Sequence, residues 1–211
     1  MSEIALAQGS LTDGAELVLV NASNTNAALG SGVSGAIRRA CGPGYQEKLS
    51  AELERRFGGP MQPGQVLVTD AGSHPRARYV VHVAVMDYRQ GFGGGSYPTL
   101  DVIRTGCEQL WDAVEGLVAE PRVSVAMVAL GAGTGGLGVR EPTRIACETL
   151  KAHLAIHRTS RVARVVFYGF ALHELLAIAE VVTAHFPEAE ESLPAEVKEG
   201  LRSLRGNPKP A

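Results

Sequence analysis

Leu17-Val18-Leu19-Val20-Asn21-Ala22-Ser23-Asn24 opens the stretch on which the fold turns, and Gly30-Ser31-Gly32-Val33-Ser34-Gly35 with Ala36-Ile37-Arg38-Arg39-Ala40-Cys41 completes it. Four consecutive apolar residues, Leu17 to Val20, read as a buried strand. The polar turn and glycines that follow read as a loop, and Ala36 to Cys41 fall in helical register. A strand, a glycine loop and a helix start in that order form an anion cradle. Glycines let the backbone approach an anion closely, and the unpaired N–H groups of the first helical turn point at it.

The totals set the bounds. With 211 residues, 45% of them apolar and 20% charged, the chain suits one domain with an appendage and can bury a full core. The formal net charge is -2 and the pI about 6.3, with Lys and Arg scattered, which argues against a surface for extended nucleic acid. Cys41, Cys107 and Cys147 lie far apart and are odd in number. They lack disulfide or metal spacing and read as buried small apolar residues in a reducing compartment. No cofactor and no metal site are expected. Met1-Ser2-Glu3-Ile4 does not begin a signal peptide, and no run approaches the ~20 apolar residues of a membrane span. The expectation is a cytoplasmic chain without a membrane partner; its oligomeric state is not legible.

Along the chain, strands are predicted at Glu3 to Gln8, Leu17 to Val20, Gln65 to Thr69, Tyr79 to Val85, Val123 to Leu130 and Ala163 to Gly169. Helical patterns fall between them. The clearest carries Leu100, Ile103, Cys107, Leu110, Trp111, Val114 and Leu117 on one face. Asp87 to Pro98, with Gly91, Gly93, Gly94, Gly95, Phe92 and Tyr97, reads as a flexible loop and a candidate lid. Alternating strands and helices imply a layered α/β sheet with helices on both faces. A domain is expected over residues 1–187. Residues 188–211 form an extension, with Leu193, Val197, Leu201 and Leu204 on a short amphipathic helix and disorder expected from Arg205 onward.

Gly30-x-Gly32-x-x-Gly35 and Gly131-x-Gly133-x-x-Gly136 both fit the dinucleotide fingerprint. The first lies too far beyond its strand for the tight turn of a Rossmann site. After the second, the next strand ends in Gly169-Phe170, with no acid to hold a ribose hydroxyl. Two loops at the carboxyl ends of two strands can instead face one another. A pyrophosphate between them would receive N–H donors from both sides without any Lys or Arg.

Val20-Asn21-Ala22-Ser23-Asn24, the Gly30 to Ala36 loop and Gly42-Pro43 resemble the start of a macrodomain, the ADP-ribose-binding module. Thr69-x-Ala71-Gly72, Tyr79-Val80-Val81-His82 and Leu130-Gly131-x-Gly133-x-Gly135-Gly136-Leu137 extend the resemblance from about residue 3 to about residue 186. It implies a three-layer α/β/α sandwich around a mixed, mostly parallel sheet of about six strands, with ADP-ribose, free or protein-linked, bound at the crest. By the same resemblance Asn24 bonds the distal ribose, and Gly30, Ser31, Gly32 and Val33 form the first phosphate loop. Gly131, Ala132, Gly133, Thr134, Gly135, Gly136 and Leu137 form the second. Ser10 and Leu11 stand at the adenine end, where Phe170 matches a stacking aromatic. Read without the family, Phe170 is a core residue and Asn24 a turn residue bonding its own backbone. Asn21 reads as structural.

The departures bear on function. Many family members carry an Asp where Ser10 follows Gly9, so weaker adenine discrimination is expected; Asp13 is a substitute, or a turn or cap residue. Hydrolytic members carry an acid at Ser34 and usually a His at Arg38. A serine needs a partner to act as a base near neutral pH. His82, inside a strand, reads as packed, and His74, beside Pro75, as a turn residue. Three functions stay open: an ADP-ribose binder, a hydrolase of ADP-ribosyl esters or O-acetyl-ADP-ribose, and a binder of another nucleotide or of nucleic-acid ends. Asn24 and Ser34 are the residues to examine for catalysis.

Overall fold

The computed structural model of the chain describes residues 2–206. Six strands appear, β1 (Glu3–Gln8), β2 (Val18–Asn24), β3 (Val66–Asp70), β4 (Tyr79–Met86), β5 (Val123–Met127) and β6 (Val162–Gly169). Of these, β2 runs on through Asn21 to Asn24, which read as a turn, and β5 stops three residues short of the expected Leu130. The strands form one six-stranded sheet in the order β1-β6-β5-β2-β4-β3. All neighbours pair in parallel except β3, which lies antiparallel to β4 at the edge.

The helices are α1 (Gly32–Ala40), α2 (Tyr45–Phe57), α3 (Leu100–Glu115), α4 (Arg140–Ile156), α5 (Leu172–His185) and α6 (Ala195–Gly206). Successive side chains of a strand point to opposite faces, and β4 shows which helices lie where. His82 reaches Tyr45 of α2 at 3.2 Å. The next residue, Val83, packs against Gly106 of α3, where an added Cβ would lie 2.5 Å from Val83 Cγ1. Thus α2 and α3 cover opposite faces, and the result is a three-layer α/β/α sandwich. Parallel strands covered on both faces explain the unbroken apolar runs in the sequence.

The α3 face is buried as read, from Ile103 through Cys107, Leu110, Trp111 and Val114. Leu117, read on the same face, lies past the end of the helix and is half-buried, and Leu100 also departs from the reading. It sits exposed in the first turn, beside the Thr99 hydroxyl that accepts the Val102 N–H and caps the helix. Burial pushes the thiol of Cys41 up to about 11 and those of Cys107 and Cys147 up to about 12. All are free and buried, so none is a ready nucleophile.

After α5, a 3₁₀ segment at Pro187–Ser192 leads into α6. Leu193, Val197 and Leu201 join the hydrophobic core, and Ser192 Oγ accepts the N–H of Leu6 at 2.9 Å. The extension helix therefore packs back onto the domain. Disorder beginning at Arg205 is not what the structure shows. Arg205 lies in α6 and donates to Glu190 at 2.9 Å and to Thr183 at 2.7 Å, which ties down the last turn. The rest of that expectation, residues 207–211, lies outside the described residues. Among the described residues, no helix is long and apolar enough to cross a membrane.

Candidate functional site

Five parallel strands end on one edge of the sheet, and the segments that follow them meet there. In sheet order this crest carries Gly9-Ser10-Leu11 after β1, Phe170 after β6, the second glycine loop after β5, the first after β2, and Asp87 to Pro98 after β4. Open α/β sheets bind ligands at the carboxyl ends of their strands. Because β2 and β5 are neighbours, the two glycine loops stand side by side.

In the first loop Gly30, Ser31 and Gly32 are exposed and Val33 half-buried. A Cβ on Gly30 or Gly32 would meet nothing within 4 Å. Gly32 takes φ +57°, where only glycine is at ease. Among the described residues no partner takes the N–H groups of Gly32, Val33 or Ser34, and the first helical bond is Gly35 N–H to Ser31 O at 3.2 Å. Gly35 differs in purpose. Its Cβ would lie 2.7 Å from the Gly30 carbonyl oxygen, so it closes the loop against α1.

The second loop divides its glycines the same way. Gly133 and Gly136 are exposed and face open space, with Thr134 exposed between them. Gly135 is an inward-facing glycine, since a Cβ there would lie 2.4 Å from Gly131 O and 2.9 Å from Pro98 Cγ. Leu137 N–H bonds Gly131 O at 3.2 Å and draws the loop closed, with Ala132 half-buried beside it. Pro98 as a floor under this loop was not legible in the sequence.

The loop that supplies Pro98 holds its own shape despite its glycines. Ser96 is buried, accepts the Gly93 N–H at 2.9 Å and donates to Gly91 O at 3.0 Å. Phe92 meets Tyr88 and Tyr97 edge-on. The first loop is fastened to it through Thr25 Oγ1, which accepts Tyr88 N–H at 2.8 Å.

Asn24 closes the loop after β2. Its Oδ1 accepts the N–H groups of Asn26 and Ala28, each at 3.1 Å, and its Nδ2 donates to Ala28 O at 2.9 Å. Both acceptor positions and one of two donors are spent. One N–H is what Asn24 has left to offer.

Ser34 is buried and donates to Asn21 Oδ1 at 2.9 Å. Asn21 Nδ2 lies 3.0 Å from His82 Nδ1. His82 Nε2 faces Tyr45 Oη at 3.2 Å and Thr69 Oγ1 at 3.3 Å. Burial pushes His82 down to about 3, so the ring is neutral. The chain Ser34–Asn21–His82–Tyr45–Thr69 crosses the α2 face of the sheet, and Asn21 is structural within it. His74 is a turn residue: its Nδ1 accepts the N–H groups of Arg76 and Ala77, and its Nε2 donates to Thr12 O.

Residues 20–146 match the family profile described as Macro domain. The chain belongs to the macrodomain family. An O-acetyl-ADP-ribose deacetylase from Cronobacter turicensis is 31% identical over 151 residues, covering 72% of this macrodomain and 80% of that protein. Among solved structures, a Trypanosoma brucei macrodomain in complex with ADP-ribose superposes with a TM-score of 0.70 at 27% identity, covering 85% of this chain and 69% of that one. An Oceanobacillus iheyensis macrodomain with ADP gives a TM-score of 0.69 at 21% identity, over 87% of this chain and 91% of that one, and shares the fold.

At the far end of this macrodomain's crest, Ser10 caps the 3₁₀ turn Leu11–Asp13. Its Oγ accepts the Thr12 N–H at 3.3 Å and bonds Thr12 Oγ1 at 2.8 Å. The Leu11 side chain is buried, and Asp13 is exposed. Phe170 is 76% exposed and so is not a core residue. A hollow of about 340 Å³ beside Arg38, Arg39 and Gly42 to Glu47 lies away from the crest, near the end of α1.

Proposed function

We propose that this macrodomain binds ADP-ribose, free or attached to protein, along the crest. One observation carries the reading: Gly30, Gly32, Gly133 and Gly136 all face open space, on loops at the ends of neighbouring parallel strands. Among the described residues no partner takes the N–H groups of Gly32, Val33 and Ser34 in the first loop or of Gly133, Thr134 and Gly135 in the second, and a diphosphate is the ligand such groups suit. The phosphate-binding residues are then Gly30, Ser31, Gly32 and Val33 on one side and Gly131 to Leu137 on the other. The free N–H of Asn24 reaches for the distal ribose. Phe170 stacks at the adenosine end, beside Ser10 and the Leu11 backbone. Ser10 is a neutral acceptor already engaged in its cap. A charged acceptor would bond about twice as strongly, so selectivity for adenine over other bases is modest.

Calorimetry with ADP-ribose and a small nucleotide panel tests this. Saturable binding of ADP-ribose is expected, lost in Gly32→Glu, which puts bulk and negative charge into the first loop. Unchanged binding in that variant would remove the loop from the site.

A second reading, hydrolysis of O-acetyl-ADP-ribose or of an ADP-ribosyl ester, draws support from the Cronobacter turicensis relative's name. Ser34 replaces the loop acid of hydrolytic members and has no base beside it, so the substrate diphosphate or a loop amide would have to position the water. A turnover assay beside the calorimetry separates the readings: saturable binding without product over hours rules out the enzyme.

A further inference from the structure

At the pole of the sheet opposite the crest, the last turns of α3 and α4 converge on the residues that lead into β6. His153 is 7% exposed, and its Nε2 lies 3.1 Å from Glu115 Oε1. Glu115 also accepts from the Ser160 hydroxyl and from the Arg161 N–H at 3.1 Å. A carboxylate that already accepts from a hydroxyl and a backbone N–H is an acceptor toward the imidazole as well, so the proton of His153 sits on Nε2. Its Nδ1 then presents a lone pair toward Asp112 Oδ1, 3.9 Å away and too far for a hydrogen bond.

The second imidazole follows four residues later. His157 stacks on His153 with ring centroids 4.3 Å apart, and a ligand atom from each of Asp112, His153 and His157 falls within 4.8 Å of the others. Histidines at this helical spacing share one face. A carboxylate on the far nitrogen is what orients a metal-binding histidine.

We propose that Asp112, His153 and His157 bind a divalent transition cation of the zinc class, with Glu115 fixing His153 from behind. Two imidazoles and a carboxylate suit zinc and its neighbours rather than magnesium or calcium, which take oxygen ligands. Ligands ~2.1 Å from such an ion sit at most ~4.2 Å apart. Asp112 and His157 are exposed, and rotation of their side chains supplies the remaining closure onto the buried His153. The bound ion braces the end of α3 against the end of α4 and, through Glu115, against the entry to β6. The site lies apart from the crest and stands whether or not ADP-ribose binds there.

The test is zinc titration of the full chain after chelator treatment, by calorimetry and thermal melting, beside magnesium. One saturable zinc site is expected, with a melting temperature that rises with zinc and not with magnesium. His157→Ala and Asp112→Asn should each weaken zinc at least tenfold and remove the rise, while keeping the metal-free melting temperature. His173→Ala and His185→Ala should leave zinc binding unchanged. Absence of a saturable site overturns the proposal, as does zinc binding that survives both first substitutions. Should those variants fail to fold, cobalt added to the parent chain decides. Strong visible ligand-field bands of a four-coordinate nitrogen and oxygen site support the proposal; the weak spectrum of the aqueous ion, or a thiolate band, overturns it.

Discussion

Ser34 gives its hydroxyl proton to the side-chain carbonyl of Asn21 across 2.9 Å, and that bond fixes the direction of a buried chain. The Asn21 amide nitrogen can only donate, so His82 Nδ1 accepts from it at 3.0 Å and the ring proton sits on Nε2. His82 therefore cannot draw a proton from Ser34. Removing the hydroxyl leaves the buried Asn21 oxygen short of a donor, which costs about 1–3 kcal/mol. Ser34→Ala should lower the unfolding free energy by that amount in urea titrations. It should change ADP-ribose affinity by less than about threefold by calorimetry. A collapse of affinity without loss of stability would make Ser34 a direct ligand group.

The same burial makes His82 a source of pH dependence in stability. Its folded value, pushed down to about 3, lies below the 6.5 of an exposed histidine. Between those values the unfolded chain binds the proton and the folded chain does not, so stability falls as pH falls through that window. Urea midpoints measured from pH 6.5 down to pH 5, above most carboxylate titrations, should decline in the parent. They should decline less steeply in His82→Gln, whatever its starting stability. Equal slopes would show that His82 is not buried neutral.

Gly133 and Gly135 sit two residues apart and should respond in opposite ways. Neither needs a positive φ. A Cβ at Gly133 meets nothing within 4 Å, whereas one at Gly135 meets Gly131 O at 2.4 Å. Gly133→Glu should keep stability within about 0.5 kcal/mol, as surface substitutions do, and lower ADP-ribose affinity by more than about tenfold. Gly135→Ala should destabilise by about 1–3 kcal/mol through overpacking. Thermal melts and calorimetry on the two variants separate a glycine kept for the ligand from one kept for the fold.

The sheet was legible because each apolar run, such as Leu17 to Val20, carries its own signal, and parallel strands buried on both faces leave little room for another reading. The crest followed from the glycine spacing and the resemblance together. Which glycine faces out could not be read, because Gly133 and Gly135 are identical letters, and what tells them apart is the folded loop itself, which brings Gly131 O and the distant Pro98 against Gly135. Asn24 and Ser10 show the same limit. Their residue types suit both ligand contact and local capping, and the structure shows the capping bonds in place. Arg205 looks like the start of a tail in the sequence because its partners, Thr183 and Glu190, lie on earlier segments. At the other pole, the four-residue spacing of His153 and His157 is in plain view in the sequence, but two histidines alone do not mark a metal site. Glu115 and Asp112 come from another helix, and folding alone brings them to the pair.

Leu201 measures what the extension contributes. It is fully buried on α6 with Val197, and Leu193 is buried just before that helix, far along the chain from the crest loops. Leu201→Ala should cost about 2–5 kcal/mol, the range for a large core residue cut to alanine, with ADP-ribose affinity unchanged at a temperature where the variant stays folded. A loss below about 1 kcal/mol in urea titration would mean that α6 adds little to the core.

Phe170 owes its exposure to the glycine before it. A Cβ on Gly169 would lie 2.5 Å from the Leu175 backbone, so only glycine lets β6 turn this tightly into α5, and the turn leaves Phe170 at the crest, 76% exposed. An exposed aromatic contributes little to stability, so Phe170→Ala should keep its melting temperature. Stacking on a base is worth about 1–3 kcal/mol, or roughly 5- to 150-fold in affinity. ADP-ribose and ADP share the adenosine half, so both should weaken by the same factor in calorimetry. A loss confined to ADP-ribose would move Phe170 to the distal ribose, and no loss for either would take it out of the site.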